Sequence, residues 1–215
     1  MDFPYEKDSK ERLPYEHYLE IYQGLDPEDM SRRTKIPYNK EKGVFTLHLM
    51  GVTYEASWPA YEVHHMDRED VGNYPLEDAA NARILVLRYL TEGAFAPSTG
   101  KFLTYREIPW GEVYFRQFQG RCIFRLAYGF GSKLDRFRQI MERLNAVQLP
   151  TGDAGYEFEF MDGLYLRFFL WEGDEEFPPS AQILFSDNFP TAFVQGEDMA
   201  VVGDVSIGVL KAMSR

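Results

Sequence analysis

The sequence YEFEFMDGLYLRFFLW, residues 156–171, contains two runs of aromatic and aliphatic residues separated by an Asp-Gly pair. An Asp-Gly pair between such runs is a strong indication of a β-hairpin, because both residues tolerate the positive φ angles of tight hairpin turns. A two-residue turn would place Glu159 opposite Leu166, whereas a three-residue turn would place Glu159 opposite Arg167. Opposite charges favour the second pairing. We therefore expect a three-residue or bulged turn.

Further strands and helices follow on both sides of this hairpin without a regular alternation. Residues 180–187 extend the hairpin by a third strand, and residues 44–66 read as three strands interrupted by Gly51 and Pro59. Apolar residues spaced three and four apart predict helices over residues 15–24, 26–34, 76–93, 113–131, 132–144 and 196–213.

This arrangement predicts an α+β fold with a mainly antiparallel sheet. We expect a single domain over residues 13–215, with about six to seven strands, hairpins at 44–66 and 156–186, and about five packed helices. Residues 1–12 are charged and are expected to form a flexible arm, and residues 67–75 read as a turn.

Local signals fix several details of these elements. Asp26 before Pro27 is typical of a helix N-cap. The S-x-x-D pattern of Ser132 and Asp135 predicts a capping box for the helix that follows, and Gly120 predicts a break in the helix before it. Strict alternation over residues 44–49 places His48 on the face away from the core.

The composition of the chain is typical of a folded globular protein with an acidic surface. The chain has 215 residues, of which 45% are apolar and 16% are aromatic, so that a substantial core can form and disorder is excluded. The formal net charge is −11, which disfavours binding to nucleic acids and to anionic membranes. The N-terminal sequence has neither the basic start nor the apolar core of a signal peptide, so we expect a soluble cytoplasmic protein.

Cysteine chemistry is limited to one residue. Cys122 is the only cysteine, which excludes an internal disulfide and an iron–sulfur cluster within the chain. Arg121 and Arg125 could lower its pKa, but its aromatic surroundings favour a buried, unreactive thiol. A nucleophile elbow and a phosphate-binding loop are both missing from the sequence.

Four segments of the chain resemble a known family. They are ILVLRYLTEG (84–93), GKFLTYREIPWGEVYF (100–115), FLWEGDEEFPPSAQILFSDN (169–188) and GEDMAVVGDVSIGVL (196–210). These segments are similar to the signature of a bacterial and archaeal family catalogued only as a domain of unknown function, from about residue 26 to the C-terminus. The resemblance implies an association with iron–sulfur domains of corrinoid proteins, and an accessory role in anaerobic one-carbon metabolism. The single cysteine departs from the fused members of that family.

Two groups of residues are candidates for a site. The acidic segment 172–176 and Asp187 contain carboxylates that could bind a divalent cation, with Asp174, Glu176 and Asp187 as ligands. The alternative is a solvated turn stiffened by two prolines, whose charges protect a sheet edge.

Aromatic residues suggest a second, ligand-binding site. Trp171 and Asp174 stand at the end of a strand, and Trp110 and Tyr105 lie in an aromatic-rich turn, so these four residues could line one pocket. Packing into the core is the alternative for the aromatic residues.

The histidines offer a third, weaker site. His48 with His64 or His65 and a nearby glutamate, Glu55 or Glu62, would bind a first-row metal. The neighbours His64 and His65 point to opposite faces of a strand and cannot both bind one ion.

Two functional hypotheses follow. The first is a non-enzymatic accessory protein that binds a small molecule or a partner protein near Trp110 and Trp171. The second is a metal-dependent enzyme, such as a hydrolase, that uses the acidic loop 172–176. The sequence names no cofactor and does not give the oligomeric state.

Overall fold

A nine-stranded antiparallel sheet forms the centre of the computed structural model, which describes residues 8–66 and 73–215. Its strands are β1 (Tyr38–Asn39), β2 (Val44–Leu49), β3 (Val52–Ser57), β4 (Val63–His65), β5 (Phe102–Thr104), β6 (Val147–Leu149), β7 (Ala154–Met161), β8 (Leu164–Trp171) and β9 (Ser180–Ser186). The main order is β4-β3-β2-β7-β8-β9-β5, with β1 beside β2 and β6 beside β7. The expected antiparallel α+β fold is confirmed. The sheet exceeds six to seven strands because β1 and β6 are too short to show alternation in the sequence.

Helices pack on this sheet and on one another. They are α1 (Leu13–Gly24), α2 (Pro27–Thr34), α3 (Pro75–Asp78), α4 (Ala80–Glu92), α5 (Gly111–Phe118), α6 (Phe124–Phe130), α7 (Leu134–Arg143), α8 (Phe189–Ala192) and α9 (Gly196–Met213). These helices outnumber the expected five, in part because α3 and α8 are too short to show a helical period in the sequence and because the predicted segment 113–131 is divided into α5 and α6. π-Helical turns at Asp8–Arg12 and Gln119–Ile123 and a 3-10 turn at Tyr105–Glu107 complete the regular structure of the described residues.

One of the two cap predictions is confirmed. The Asp26 carboxylate accepts hydrogen bonds from the backbone N–H groups of Glu28 and Asp29, at 2.8 and 3.4 Å, and so satisfies two free donors of α2. The capping box at Ser132 is wrong. Helix α7 begins one residue later than that box requires, with Lys133 at its N-cap and no side-chain cap bond.

The central hairpin is bulged, as expected, but its charge pair is different. Met161 pairs with Leu164 around the Asp-Gly turn, and the register then shifts between Glu159 and Met161. The shift places Glu157, not Glu159, opposite Arg167, and the Arg167 Nε donates to the Glu157 carboxylate at 2.8 Å. The predicted pairing of Glu159 with Arg167 is therefore wrong.

Glu159 has a different role in the same turn. Its carboxylate accepts a hydrogen bond from the backbone N–H of Gly163 at 2.7 Å. An acidic side chain that bonds the turn backbone cannot also face Arg167, and this local bond explains why the predicted register fails.

The core lies between the sheet and the helices. Phe45, Leu47 and Leu49 of β2 are buried, and His48 between them is exposed, as the alternation predicts. Helix α4 packs against both α1 and α9, which explains why eight of its 13 residues are buried.

The predicted break near Gly120 is the π-helical turn that joins α5 to α6. The wider turn places Cys122 against α9, where a Cβ on Gly203 would lie 2.8 Å from its Sγ. The π-helical turn and α9 are therefore in close contact at Cys122 and Gly203, where Gly203 has no room for a larger side chain.

Two parts of the expected organisation fall partly outside the described residues. Residues 1–7 of the expected arm and residues 67–72 of the expected turn lie there. The remainder of the arm, Asp8–Arg12, is the π-helical turn that leads into α1.

Candidate functional site

The acidic segment forms a self-contained turn. The Asp174 carboxylate accepts hydrogen bonds from the backbone N–H groups of Glu176 and Phe177, at 2.8 and 2.7 Å. These bonds hold the pKa of Asp174 below its usual value. Glu175 and Glu176 are exposed beside it. One oxygen of the carboxylate that was expected to bind a cation, Oδ1, is therefore bonded to the turn backbone.

Asp187 belongs to a different loop. The Ser98 hydroxyl donates to its carboxylate at 2.6 Å and the Thr99 backbone N–H at 3.0 Å, and these bonds lower the pKa of Asp187. Asp187 follows one end of β9, whereas Asp174 follows Trp171, which pairs with Ser180 at the other end. Six strand residues separate the two ends by about 20 Å. The structure does not bring the three predicted metal ligands together.

The four predicted ligand-binding residues are also separated. Trp171 and Asp174 border a shallow depression beside Phe177 and Ser180. Tyr105 is buried in the core, where it stacks on a phenylalanine ring with 3.9 Å between centroids. Trp110 is 72% exposed at the surface. The aromatic pocket that the sequence suggested is not formed by these residues.

Tyr105 has a structural partner. Its hydroxyl donates to the backbone carbonyl of Gly196 at 2.7 Å, and burial raises its pKa. Gly196 begins α9, so the bond ties the 3-10 turn to the start of that helix.

Each central histidine is paired with one carboxylate. His48 Nδ1 lies 3.0 Å from Asp162, and His65 Nδ1 lies 2.9 Å from Glu77. The register puts Thr53, not a histidine, opposite His48. Within residues 8–66 and 73–215, no three His, Cys, Asp or Glu side chains are grouped closely enough to bind a metal.

Cys122 is a buried apolar contact. Burial raises its pKa to about 12, although Arg121 and Arg125 oppose the rise. Its Sγ–H donates weakly to the Ala200 carbonyl of α9 at 3.3 Å. The predicted burial of this thiol is confirmed.

A cavity of about 960 Å³ lies between α4 and α9, away from every residue that the sequence singled out as a ligand. We call it the α4–α9 cavity. Residues 9–11 and Pro14 line one side of it. Its other walls include Ile84, Leu85 and Arg88 of α4, and Asp198, Val201 and Asp204 of α9.

An ion pair joins the two helices at this cavity. Arg88 Nη1 lies 2.5 Å from Asp198 Oδ1, and the two side chains are 12% and 4% exposed. The Arg88 guanidinium also lies over the Tyr18 ring, 5.1 Å from its centroid. These contacts use one nitrogen and one face of the guanidinium.

Two further nitrogens of Arg88 have no hydrogen-bond partner within residues 8–66 and 73–215. Its Nε and Nη2 atoms are buried and donate no hydrogen bond to any described residue. Buried donors without a partner cost free energy, so such an arrangement calls for an explanation. The Nε–Nη2 edge is the side of a guanidinium that binds a carboxylate or phosphate with two parallel bonds.

Asp198 is held in an unfavourable environment for a charge. Burial raises its pKa to about 7, and the negative charges of Glu197 and Glu92 act in the same direction. The charge of Arg88 and a hydrogen bond with the backbone of Gln195, the N-cap residue of α9, oppose this rise without cancelling it. A carboxyl group with a pKa near neutrality changes its charge under physiological conditions.

A second set of charged side chains lies at the wall of the α4–α9 cavity. Arg121 Nη2 is 3.5 Å from the Asp204 carboxylate, which also pairs with Arg125. Both Arg121 and Asp204 line the α4–α9 cavity, so its lining contains cations and carboxylates together.

Sequence reasoning missed this site although one signal was present. Arg88 interrupts the apolar run ILVLRYL in a helix that was expected to be buried on more than one side. A charged residue in a buried helix needs a partner. The position of that partner, Asp198, depends on the packing of two helices far apart in sequence.

No helix of the described residues combines the length and the apolar character that a bilayer crossing requires. The comparisons with curated proteins and with solved structures give no match. A family model matches residues 26–208, close to the extent of the resemblance seen in the sequence. The chain therefore belongs to the family described as Domain of unknown function (DUF3786).

Proposed function

We propose that this chain is a non-enzymatic binding protein that holds a small molecule with a carboxylate or phosphate group in the α4–α9 cavity. The observation that carries the proposal is the buried Nε–Nη2 edge of Arg88, which has no hydrogen-bond partner among the described residues. An anionic oxygen pair of a ligand would satisfy both donors at once.

The position of Arg88 favours this role over a purely structural one. Asp198 fixes one end of the guanidinium and the Tyr18 ring supports its face, so the free edge is held in one orientation. A preorganised guanidinium loses little conformational freedom when it binds, and this increases affinity.

The charges of the wall restrict the ligand further. Glu197, Asp198 and Asp204 line the same cavity as Arg88 and Arg121. A ligand that carries only negative charge would be repelled by these carboxylates. A molecule with one anionic group and with hydroxyl or ammonium donors matches both kinds of wall residue.

The cavity has the size of a small-molecule site. Its volume of about 960 Å³ lies near the upper end of ordinary ligand pockets. Ile84, Leu85 and Val201 supply apolar wall between the charged groups. A link to corrinoid-dependent one-carbon metabolism remains part of the proposal, supported only by the family resemblance, and a corrinoid belongs among the ligands to be tested.

The test is a thermal-shift screen of the full chain against amino acids, hydroxy acids, sugar phosphates and a corrinoid, followed by calorimetry on each compound that raises the melting temperature. Arg88→Lys keeps the charge beside Asp198 but removes the two-nitrogen edge. We expect this variant to fold and to lose binding about tenfold or more.

Two controls make the result decisive. Arg32→Lys changes an exposed arginine paired with Asp29 and should bind as the wild type does. Arg88→Leu with Asp198→Leu replaces the buried pair by apolar groups, which proteins often tolerate, and should fold without binding. Ligand binding that is unchanged in Arg88→Lys, or the absence of any stabilising compound, would contradict the proposal.

A further inference from the structure

A stripe of exposed residues runs along the outer side of α5, the π-helical turn and α6. We call Val113, Arg116, Gly120, Phe124 and Tyr128 the outer stripe; all five are exposed. Val113, Phe124 and Tyr128 are 77%, 46% and 62% exposed, and the last two rings lie 6.2 Å apart. Single exposed apolar residues are ordinary, but several on one side of the same helical segment are typical of an interaction site.

Gly120 leaves a gap in the middle of the outer stripe. A Cβ added to this glycine would meet no atom within 4 Å. This open space lies between Arg116 and Phe124 along the stripe, so an aromatic side chain from outside could pack there.

The segment of the chain that contains the outer stripe is positively charged, whereas the rest of the sequence is negatively charged. Residues 101–150 contain nine Lys and Arg against four Asp and Glu, a net +5, and the other residues contain 14 against 30, a net −16. Arg116 lies on the stripe itself and forms no ion pair with a described residue. A partner for this surface should therefore be acidic and carry an apolar side chain.

The chain itself offers such a partner surface. Residues 172–178, which we call the acidic turn, contain Glu172, Asp174, Glu175 and Glu176, all exposed. Phe177 follows them and is 67% exposed. The bonds that Asp174 makes to the turn backbone fix its shape, so that little order has to be gained on binding.

The acidic turn and the outer stripe are adjacent within one chain. A Cβ added to Gly131, directly after α6, would lie 2.4 Å from the Cβ of Pro179, directly after the acidic turn. The exposure of Phe177 shows that the turn does not cover its own stripe. When two complementary surfaces lie side by side, a twofold axis can bring the first surface of each copy against the second surface of the other copy.

We propose that the chain forms a symmetric dimer in which the acidic turn of each copy contacts the outer stripe of the other. Phe177 of one copy fills the gap at Gly120 beside Phe124 of its partner. Glu176 faces Arg116 across the interface. This interaction is independent of the α4–α9 cavity and goes beyond the proposed binding function.

The test is the oligomeric state of the full chain, measured by sedimentation equilibrium at physiological salt. We expect a dimer that dissociates on dilution. Phe177→Ser should raise the dissociation constant about tenfold or more, as expected for a central aromatic contact. Val147→Ser removes another exposed apolar residue, 62% exposed and outside both surfaces, and should leave association unchanged.

Charge reversal gives the sharper result. Arg116→Glu and Glu176→Arg should each weaken the dimer, and the double variant should recover most of the wild-type affinity, because the pair is restored in reversed order. Circular dichroism of each variant checks that the fold is kept. A monomer at all concentrations up to about 1 mM, or a dimer that is insensitive to Phe177→Ser and to both reversals, would overturn the proposal.

Discussion

Arg88 contacts Asp198 through one terminal nitrogen, at 2.5 Å, and thereby joins α4 to α9, while its Nε–Nη2 edge has no hydrogen-bond partner in the part of the chain that the structure describes. Burial raises the pKa of Asp198 to about 7, although the charge of the guanidinium opposes this rise. One side-chain pair thus controls both the packing of two helices and the protonation of a cavity wall.

Because of the raised pKa of Asp198, the free energy of unfolding should decrease as the pH rises through the acidic range. Its pKa is 3.8 when unperturbed and about 7 in the folded chain, so the folded state holds a proton there that the unfolded state has released. The free energy of unfolding therefore decreases with pH between about 4 and 7, by at most about 1.4 kcal/mol per pH unit from this group.

Urea unfolding at a series of pH values checks this dependence. Asp198→Asn should remove the contribution of this group to the pH dependence, whatever its effect at any single pH, and Asp29→Asn at an exposed position should keep it. Wild-type and Asp198→Asn curves that run parallel between pH 5 and 7 would show that Asp198 is ionised throughout.

Cys122 should resist thiol reagents in the folded protein. A pKa near 12 keeps the thiol protonated at neutral pH, and the side chain is fully buried. Ellman's reagent should therefore react with the native chain only as fast as it unfolds, and at once in denaturant. Rapid reaction under native conditions would place the sulfur at the surface.

The contact of Cys122 with Gly203 should not tolerate an extra methyl group. A Cβ at Gly203 would approach the sulfur to 2.8 Å, so we expect Gly203→Ala to destabilise the fold by about 1–3 kcal/mol. Gly208→Ala lies on the same helix with nothing within 4 Å, and serves as the control. Equal stability of the two variants would contradict the close packing of α9 on the π-helical turn.

The hairpin register can be tested by energetic coupling. A double-mutant cycle of Arg167→Ala with Glu157→Ala should give a coupling of about 0.2–1 kcal/mol, as for other partly exposed pairs. The same cycle with Glu159→Ala should give a coupling near zero, since that carboxylate bonds the Gly163 backbone instead. Coupling to Glu159 alone would restore the register that sequence reasoning favoured.

Tyr105 should contribute to stability and not to ligand binding. Tyr105→Phe removes the bond to the Gly196 carbonyl and leaves a buried acceptor, which should cost about 1–2 kcal/mol. Binding to the α4–α9 cavity should be unaffected once the variant is folded. A change in ligand affinity without a change in the free energy of unfolding would instead indicate that Tyr105 contacts the ligand.

Local signals in the sequence predicted the elements well. The span of α9, the N-cap at Asp26 and the outward position of His48 all follow from periodicity and capping chemistry, which depend on near neighbours. The resemblance to the family also predicted that the family domain begins near residue 26. The bulge was expected from charge, although the partner of Arg167 was not.

The site could not be predicted in the same way. Trp171, Asp174 and Asp187 are close in sequence, but an extended strand carries the last of them about 20 Å from the others. Arg88 and Asp198 are far apart in sequence, and only the packing of α4 on α9 brings them together. Proximity along the chain is a poor guide to proximity in an antiparallel sheet.

The sheet consists of two groups of strands, β1–β4 and β5–β9, which in the described residues are joined only where β2 pairs with β7. Strand β2 pairs with β7 through Leu49 and Met161 alone, and the Met50 N–H donates to the Phe160 carbonyl at the bulge, at 2.9 Å. A seam with so few backbone bonds should be the first to separate in partial unfolding. The meander of residues 44–66 can then detach as a unit while the central hairpin persists, and amide exchange at Met50 would record each opening.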